Sequence, residues 1–186
     1  ETGIVPDFIT VDGAEGGTGA APLEFIDYMG MALSDALIFV SKTLKVYELR
    51  DQIKIMASGK IITGFDIAKA MSLGADACYS ARGMMFALGC IQALQCDSGK
   101  CPVGIATQDK NLYKGLDITD KSVRVAHFHN NTLKAFAEFI GACGFDSPKA
   151  ITPDVFYRRI DHKTNESFAS LFFNNYENKT KQKLKK

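Results

Sequence analysis

The chain has 186 residues, 46% apolar and 23% charged, an ordinary globular composition with enough length to bury a core. Net charge is +1, but Lys179, Lys181, Lys183, Lys185 and Lys186 crowd the last eight residues, so the body carries −4 and offers no basic surface for nucleic acid. No apolar stretch approaches the roughly 18 to 20 residues of a membrane helix, and an odd count of five cysteines without a secretory leader points to a reducing, cytoplasmic setting.

Asp7 to Asp12 is a short β-branched and aromatic run that reads as a strand, broken by the glycine-rich Gly13 to Ala21. Pro22 suits the first position of a helix carrying Leu23, Phe25, Ile26 and Met29. Leu33, Leu37, Val40, Leu44 and Tyr47 recur at helical spacing and write a second helix. Ile53 to Ala57 is a strand bounded by Ser58-Gly59-Lys60. Thr63 and Asp66 then form a capping-box pattern for a short helix that Gly74 ends. Ala75 to Ser80 reads as a third strand, with Cys78 as a small core hydrophobe, and an apolar helix runs from Met84 toward Cys90. Strand and helix alternating at this pace predict a parallel α/β arrangement. Beyond Pro102 the chain is irregular to about Asp120. A long helix then spans Lys121 to Ala142, and Thr152-Pro153 opens a last short helix to Ile160. From Asp161 the sequence is polar around an apolar island, Phe168 to Phe173, with no assignable element. The lysine-rich end reads as a frayed, solvated tail.

Cys90, Cys96 and Cys101 lie close together, with five and then four residues between them, and Pro102 follows the last. Iron–sulfur clusters are held by cysteine thiolates, and a proline after the final cysteine also closes the bacterial ferredoxin run. Structural zinc more often uses cysteines two to four residues apart and needs a fourth ligand. No histidine stands near, so three ligands suggest a cluster with one cysteine fewer than the usual four. Six residues apart on an unbroken helix, Cys90 and Cys96 would face about 120° away from each other, so they can share a ligand only if the chain leaves the helix between them or just after.

Two consecutive strands end in small or glycine-containing turns, Ser58-Gly59-Lys60 and Ala81-Arg82-Gly83, each followed by a helix. Together they can aim N–H groups at one anion, as the loops after strands seven and eight of a (β/α)₈ barrel often do for phosphate, with Gly64 at the start of the intervening helix and Arg82 adding charge. Two ordinary strand-to-helix turns would look the same.

The segment from Ala57 to Gly83 resembles the FMN phosphate segment of FMN-dependent barrel oxidoreductases. Gly16-Gly-Thr-Gly-Ala-Ala-Pro22 resembles the glycine-rich loop of the glutamate synthase FMN domain. The run from Gly89 through Cys101 to Gln108 is similar to that family's three-iron, four-sulfur (3Fe-4S) segment, with matching spacing at all three cysteines. The resemblance covers most of residues 7 to 160. It implies an α/β fold that is the C-terminal part of a (β/α)₈ TIM barrel, strands six to eight, with an iron–sulfur loop and C-terminal helices. Residues 1–160 would be that barrel portion and 161–186 a partly disordered extension.

By the same resemblance Cys90, Cys96 and Cys101 would ligate the cluster. Ser58, Gly59, Lys60, Ala81 and Arg82 would bracket the FMN phosphate, and Gly16, Gly17, Thr18 and Gly19 would lie where flavin and 2-oxo acid meet. Lys60 stands where a second glycine is common. The implied reaction is reductive amination of 2-oxoglutarate to glutamate with ammonia or glutamine-derived nitrogen, electrons arriving from a ferredoxin or an NAD(P)H reductase subunit. No residue is an evident general acid or base; Asp12 and Glu15 qualify only by lying at a strand end. The rivals are another FMN barrel oxidoreductase with a different substrate, and a non-catalytic electron-transfer or structural fragment.

Overall fold

Three short parallel strands carry the molecule, and the sequence explains why one face of them is apolar. The computed structural model describes residues 3–15, 21–22, 24–26 and 28–174. Strands β1 (Phe8–Asp12), β2 (Lys54–Ser58) and β3 (Ala77–Tyr79) pair side by side in that order, Phe8 opposite Lys54 and Met56 opposite Ala77. Alternation then sorts the side chains. Val11, Ile55 and Ala57 turn to the buried face, while Phe8, Thr10, Asp12 and Lys54 stand on the other, exposed.

Helix α1 (Leu33–Val46) joins β1 to β2 and buries Leu33, Leu37, Ile38, Ser41 and Leu44 on the sheet. Helix α2 (Gly64–Ser72) joins β2 to β3; its buried residues, Gly64, Ala68, Ala70 and Ser72, are all small. That smallness lets the long α5 (Ile118–Ala142) lie close, and a Cβ at Gly64 would stand 2.5 Å from the Phe136 nitrogen. Gly74 ends the α2 segment at φ +114°, and a Cβ there would meet Ser41 Cβ at 2.7 Å, so the turn and the close approach both require glycine. Between α2 and α5 come α3 (Arg82–Leu88), the cysteine segment and the one-turn α4 (Lys110–Tyr113).

Three expected elements differ. The stretch after Pro22 forms turns, with Phe25 N donating to Pro22 O at 2.9 Å, and no helix among the described residues. The long helix starts earlier than Lys121 because the Asp117 carboxylate accepts the N–H groups of Thr119 and Asp120. Thr152-Pro153 opens a single 3₁₀ turn, Pro153–Val155, not a helix to Ile160; the chain then forms a hairpin of β4 (Tyr157–Arg159) and β5 (Asn165–Ser167).

Residues 161–174 pack on the body. Phe168 N donates to Phe156 O at 2.8 Å, and a run of ring contacts at 5.4–5.8 Å links Phe65, Phe139, Phe156, Phe168 and Phe172. Phe156 and Phe168 thereby join the core of the three-stranded unit. Lys42 and Lys45 of α1 place their Nζ atoms 5.7 and 5.4 Å from the Phe173 ring centre.

Candidate cofactor site

The C-terminal ends of β2 and β3 lie together, Ser58 opposite Tyr79, so the two expected turns emerge side by side. Ser80 fastens them: its Oγ donates to Ile61 O at 2.7 Å. No local pattern marks Ser80 for this role, because its partner sits 19 residues away. In the first turn Gly59 has φ +147° and Lys60 φ +47°. Lys60 thus adopts the left-handed conformation that glycine would adopt without strain, at a cost of about 1 kcal/mol.

The helix N-termini beside these turns differ. Thr63 Oγ1 accepts from Asp66 N at 3.2 Å and Asp66 Oδ2 accepts from Thr63 N at 2.9 Å, the capping box expected for α2. Asp66 also accepts Ile62 N, so this N-terminus already holds an anion. Gly64, expected in the helix entry, is the first residue of α2 and gives room to the backbone of α5. Helix α1 is filled likewise, because both Glu15 carboxylate oxygens accept the Leu33 N–H. Glu15 is therefore engaged at a helix N-terminus, and Asp12 is exposed at the end of β1. At α3 the N-cap is Ala81, which has no side-chain acceptor, and Arg82 and Gly83 follow.

A pocket opens beside the start of α3. Arg82, Phe86, Cys90 and Cys96 line it, with Ala21 and Ile26 from the β1–α1 connection. The chain leaves α3 before Cys90, earlier than the expected exit between Cys90 and Cys96: Gly89 caps the helix in the left-handed conformation at φ +104°, and Gln92 and Leu94 also take positive φ. Gly99 closes the expected turn, its N–H donating to Cys96 O at 3.2 Å. Gly16, Gly17, Thr18 and Gly19 lie outside the described residues.

Cys101 is buried. Burial pushes its thiol up, but hydrogen bonds from the backbone N–H groups of Ala106, Ile105, Val103 and Gly104 outweigh this and hold it below its ordinary value. Such surroundings favour thiolate, the form that ligates metal. Gly104, one of these four donors, is the local sign of a turn there, at φ +80°. Cysteine thiolates are the donor type that iron–sulfur clusters take. The placement gathers Cys90 and Cys96 on one wall without Cys101, and no three His, Cys, Asp or Glu side chains among the described residues form one ligand set. Among the described residues no helix is long and apolar enough to cross a membrane.

A mixed α/β unit with a three-stranded parallel sheet defines the class. Within it, residues 2–146 match the conserved region in glutamate synthase, and the chain belongs to that family. It is 44% identical over 162 residues to the glutamate synthase large subunit-like protein YerD of Bacillus subtilis, covering 87% of this chain and 31% of that protein. It is 40% identical over 145 residues to the archaeal glutamate synthase [NADPH] of Methanocaldococcus jannaschii, covering 78% of this chain and 28% of that protein. The chain therefore spans less than a third of the length of these curated relatives. Among solved structures, a flavocytochrome b2 variant with sulfite bound aligns over 79% of this chain and 34% of its own at 17% identity, TM-score 0.46.

Proposed function

We propose that this chain forms the cofactor end of a glutamate synthase-type oxidoreductase that aminates 2-oxoglutarate to glutamate. Family membership supports the reaction class. The observation that carries the site is the contrast between helix N-termini: this chain's own carboxylates fill those of α1 and α2 and leave α3 without one. An FMN phosphate would sit there, between the N–H groups of Ala81 and Arg82 and the adjoining Ser58-Gly59-Lys60 turn, with the Arg82 and Lys60 charges beside it. Gly16, Gly17, Thr18 and Gly19 would face the flavin and the 2-oxo acid.

Cys90, Cys96 and Cys101 would hold a three-iron, four-sulfur cluster, the four backbone N–H groups around Cys101 favouring its thiolate. When bound, the two cofactors supply single-electron storage and hydride delivery, and the protein positions and tunes them. The relatives' names carry NADPH, which favours a nicotinamide-linked reductase over ferredoxin as donor. The three strands would be the sixth to eighth of a (β/α)₈ barrel, with cofactors at their C-terminal ends. Residues 1–160 would supply the barrel portion and 161–186 its extension.

Incubating the full-length protein with a reductant, a nitrogen donor and a panel of 2-oxo acids tests this reading. Glutamate from 2-oxoglutarate is expected as the main product. Preference for another 2-oxo acid, or turnover without bound flavin, would contradict it.

A further inference from the structure

The connection from β1 to α1 is closed at its base, and we infer that Glu15 is a positioning residue that fixes this connection against the cofactor site. The β1 ladder runs one residue past the strand, with Gly13 N donating to Ser58 O at 2.8 Å. Ala14 N donates to Met31 O at 2.9 Å. Glu15 Oε2 and Oε1 then accept the Leu33 N–H at 2.9 and 3.1 Å. Leu33 begins α1, and Ala32 before it has no side-chain acceptor. Glu15 supplies that acceptor from 18 residues upstream, where the helix dipole favours negative charge.

Gly13 makes room for this joint. A Cβ there would collide with the Glu15 carboxylate and stand 2.6 Å from Leu33 Cβ. Gly59 rests on the same joint, its Cβ position lying 3.3 Å from Leu33 Cβ and 3.5 Å from Gly13 Cα. The joint thus touches the turn after β2. The connection that it closes also supplies Ala21 and Ile26 to the wall shared with Arg82, Cys90 and Cys96. One carboxylate fixes two sides of the site from outside it. What the site holds rests on the reading above; the joint itself does not.

The test is amide hydrogen exchange and FMN titration on the full-length protein. In Glu15→Ala, exchange at Leu33 and FMN dissociation constant both rise about tenfold, while amides in α2 keep their native rates. Glu15→Gln retains an acceptor oxygen and stays within about twofold of native in both readouts. Glu15→Asp keeps the charge but is a methylene short, and behaves like the alanine variant. A proton-transfer role would reverse that order, with Asp active and Gln inert. If Glu15→Ala fails to fold, the Gln and Asp pair decides alone. Native exchange at Leu33 in Glu15→Asp, or Gln behaving like Ala, overturns the inference. If the native protein binds no FMN, the reading of the site fails while the exchange data still decide the role of Glu15.

Discussion

Gly64 shows how one missing side chain holds two helices together. A Cβ there would meet backbone, 2.5 Å from Phe136 N and 2.9 Å from its Cα, so α5 would have to move. Gly64→Ala is expected to destabilise the fold by about 1–3 kcal/mol despite alanine's better helix propensity, read as a lower urea midpoint at unchanged slope. Cys78 gives a pH dependence. Burial pushes its thiol up to about 12 from the ordinary 9.0. Below pH 9 folded and unfolded states are both neutral there; between pH 9 and about 12 only the unfolded chain loses the proton, so stability falls as pH rises. Cys78→Ala is expected to flatten that alkaline slope in unfolding experiments, and native Cys78 to resist iodoacetamide at pH 8 until the chain unfolds.

At the scale of elements, α2 depends on its reciprocal cap. Thr63→Ala removes the acceptor for Asp66 N, and equilibrium unfolding should show a loss of about 1 kcal/mol. This cap was legible in the sequence because both partners lie within one turn. So were the α1 stripe and the three strands, each written in local spacing; the end of α3 at Gly89, before Cys90, comes earlier than the expected exit between the cysteines. The joint at Glu15 was not, since Leu33 stands 18 residues away and a strand-end carboxylate equally suits a catalytic role. Neither was the C-terminal segment. The Thr152-Pro153 start signal is satisfied by a single 3₁₀ turn. Phe168 is placed by its ring contact with Phe156 at 5.7 Å, a tertiary term that periodicity does not carry. Of the candidate site, sequence supplied the residue types and the adjacent turns. It did not supply Ser80, the N–H groups around Cys101, or the filled N-termini that distinguish α3.

Across the whole molecule, helices cover one face of the sheet, and the other presents Phe8 at 56% and Tyr79 at 45% exposure. Among the described residues neither β1 nor β3 has a further strand on its outer edge. Exposed apolar faces and open edges promote association. The 186-residue chain alone is therefore expected to self-associate in sedimentation velocity, less so as Phe8→Lys, and a monomer at high concentration would count against the face being a buried one. The same open face is what a strand-six-to-eight portion of a barrel would present to the rest of it.

The proposed iron–sulfur cluster on Cys90, Cys96 and Cys101 would stand beside the flavin. Metal and acid-labile sulfide analysis of the anaerobically purified full-length protein decides this, set beside its Cys90→Ser, Cys96→Ser and Cys101→Ser variants. Iron with sulfide in the native protein, lost in every variant while the flavin remains, is the expected result. Zinc, or no metal with all three cysteines intact, would contradict it.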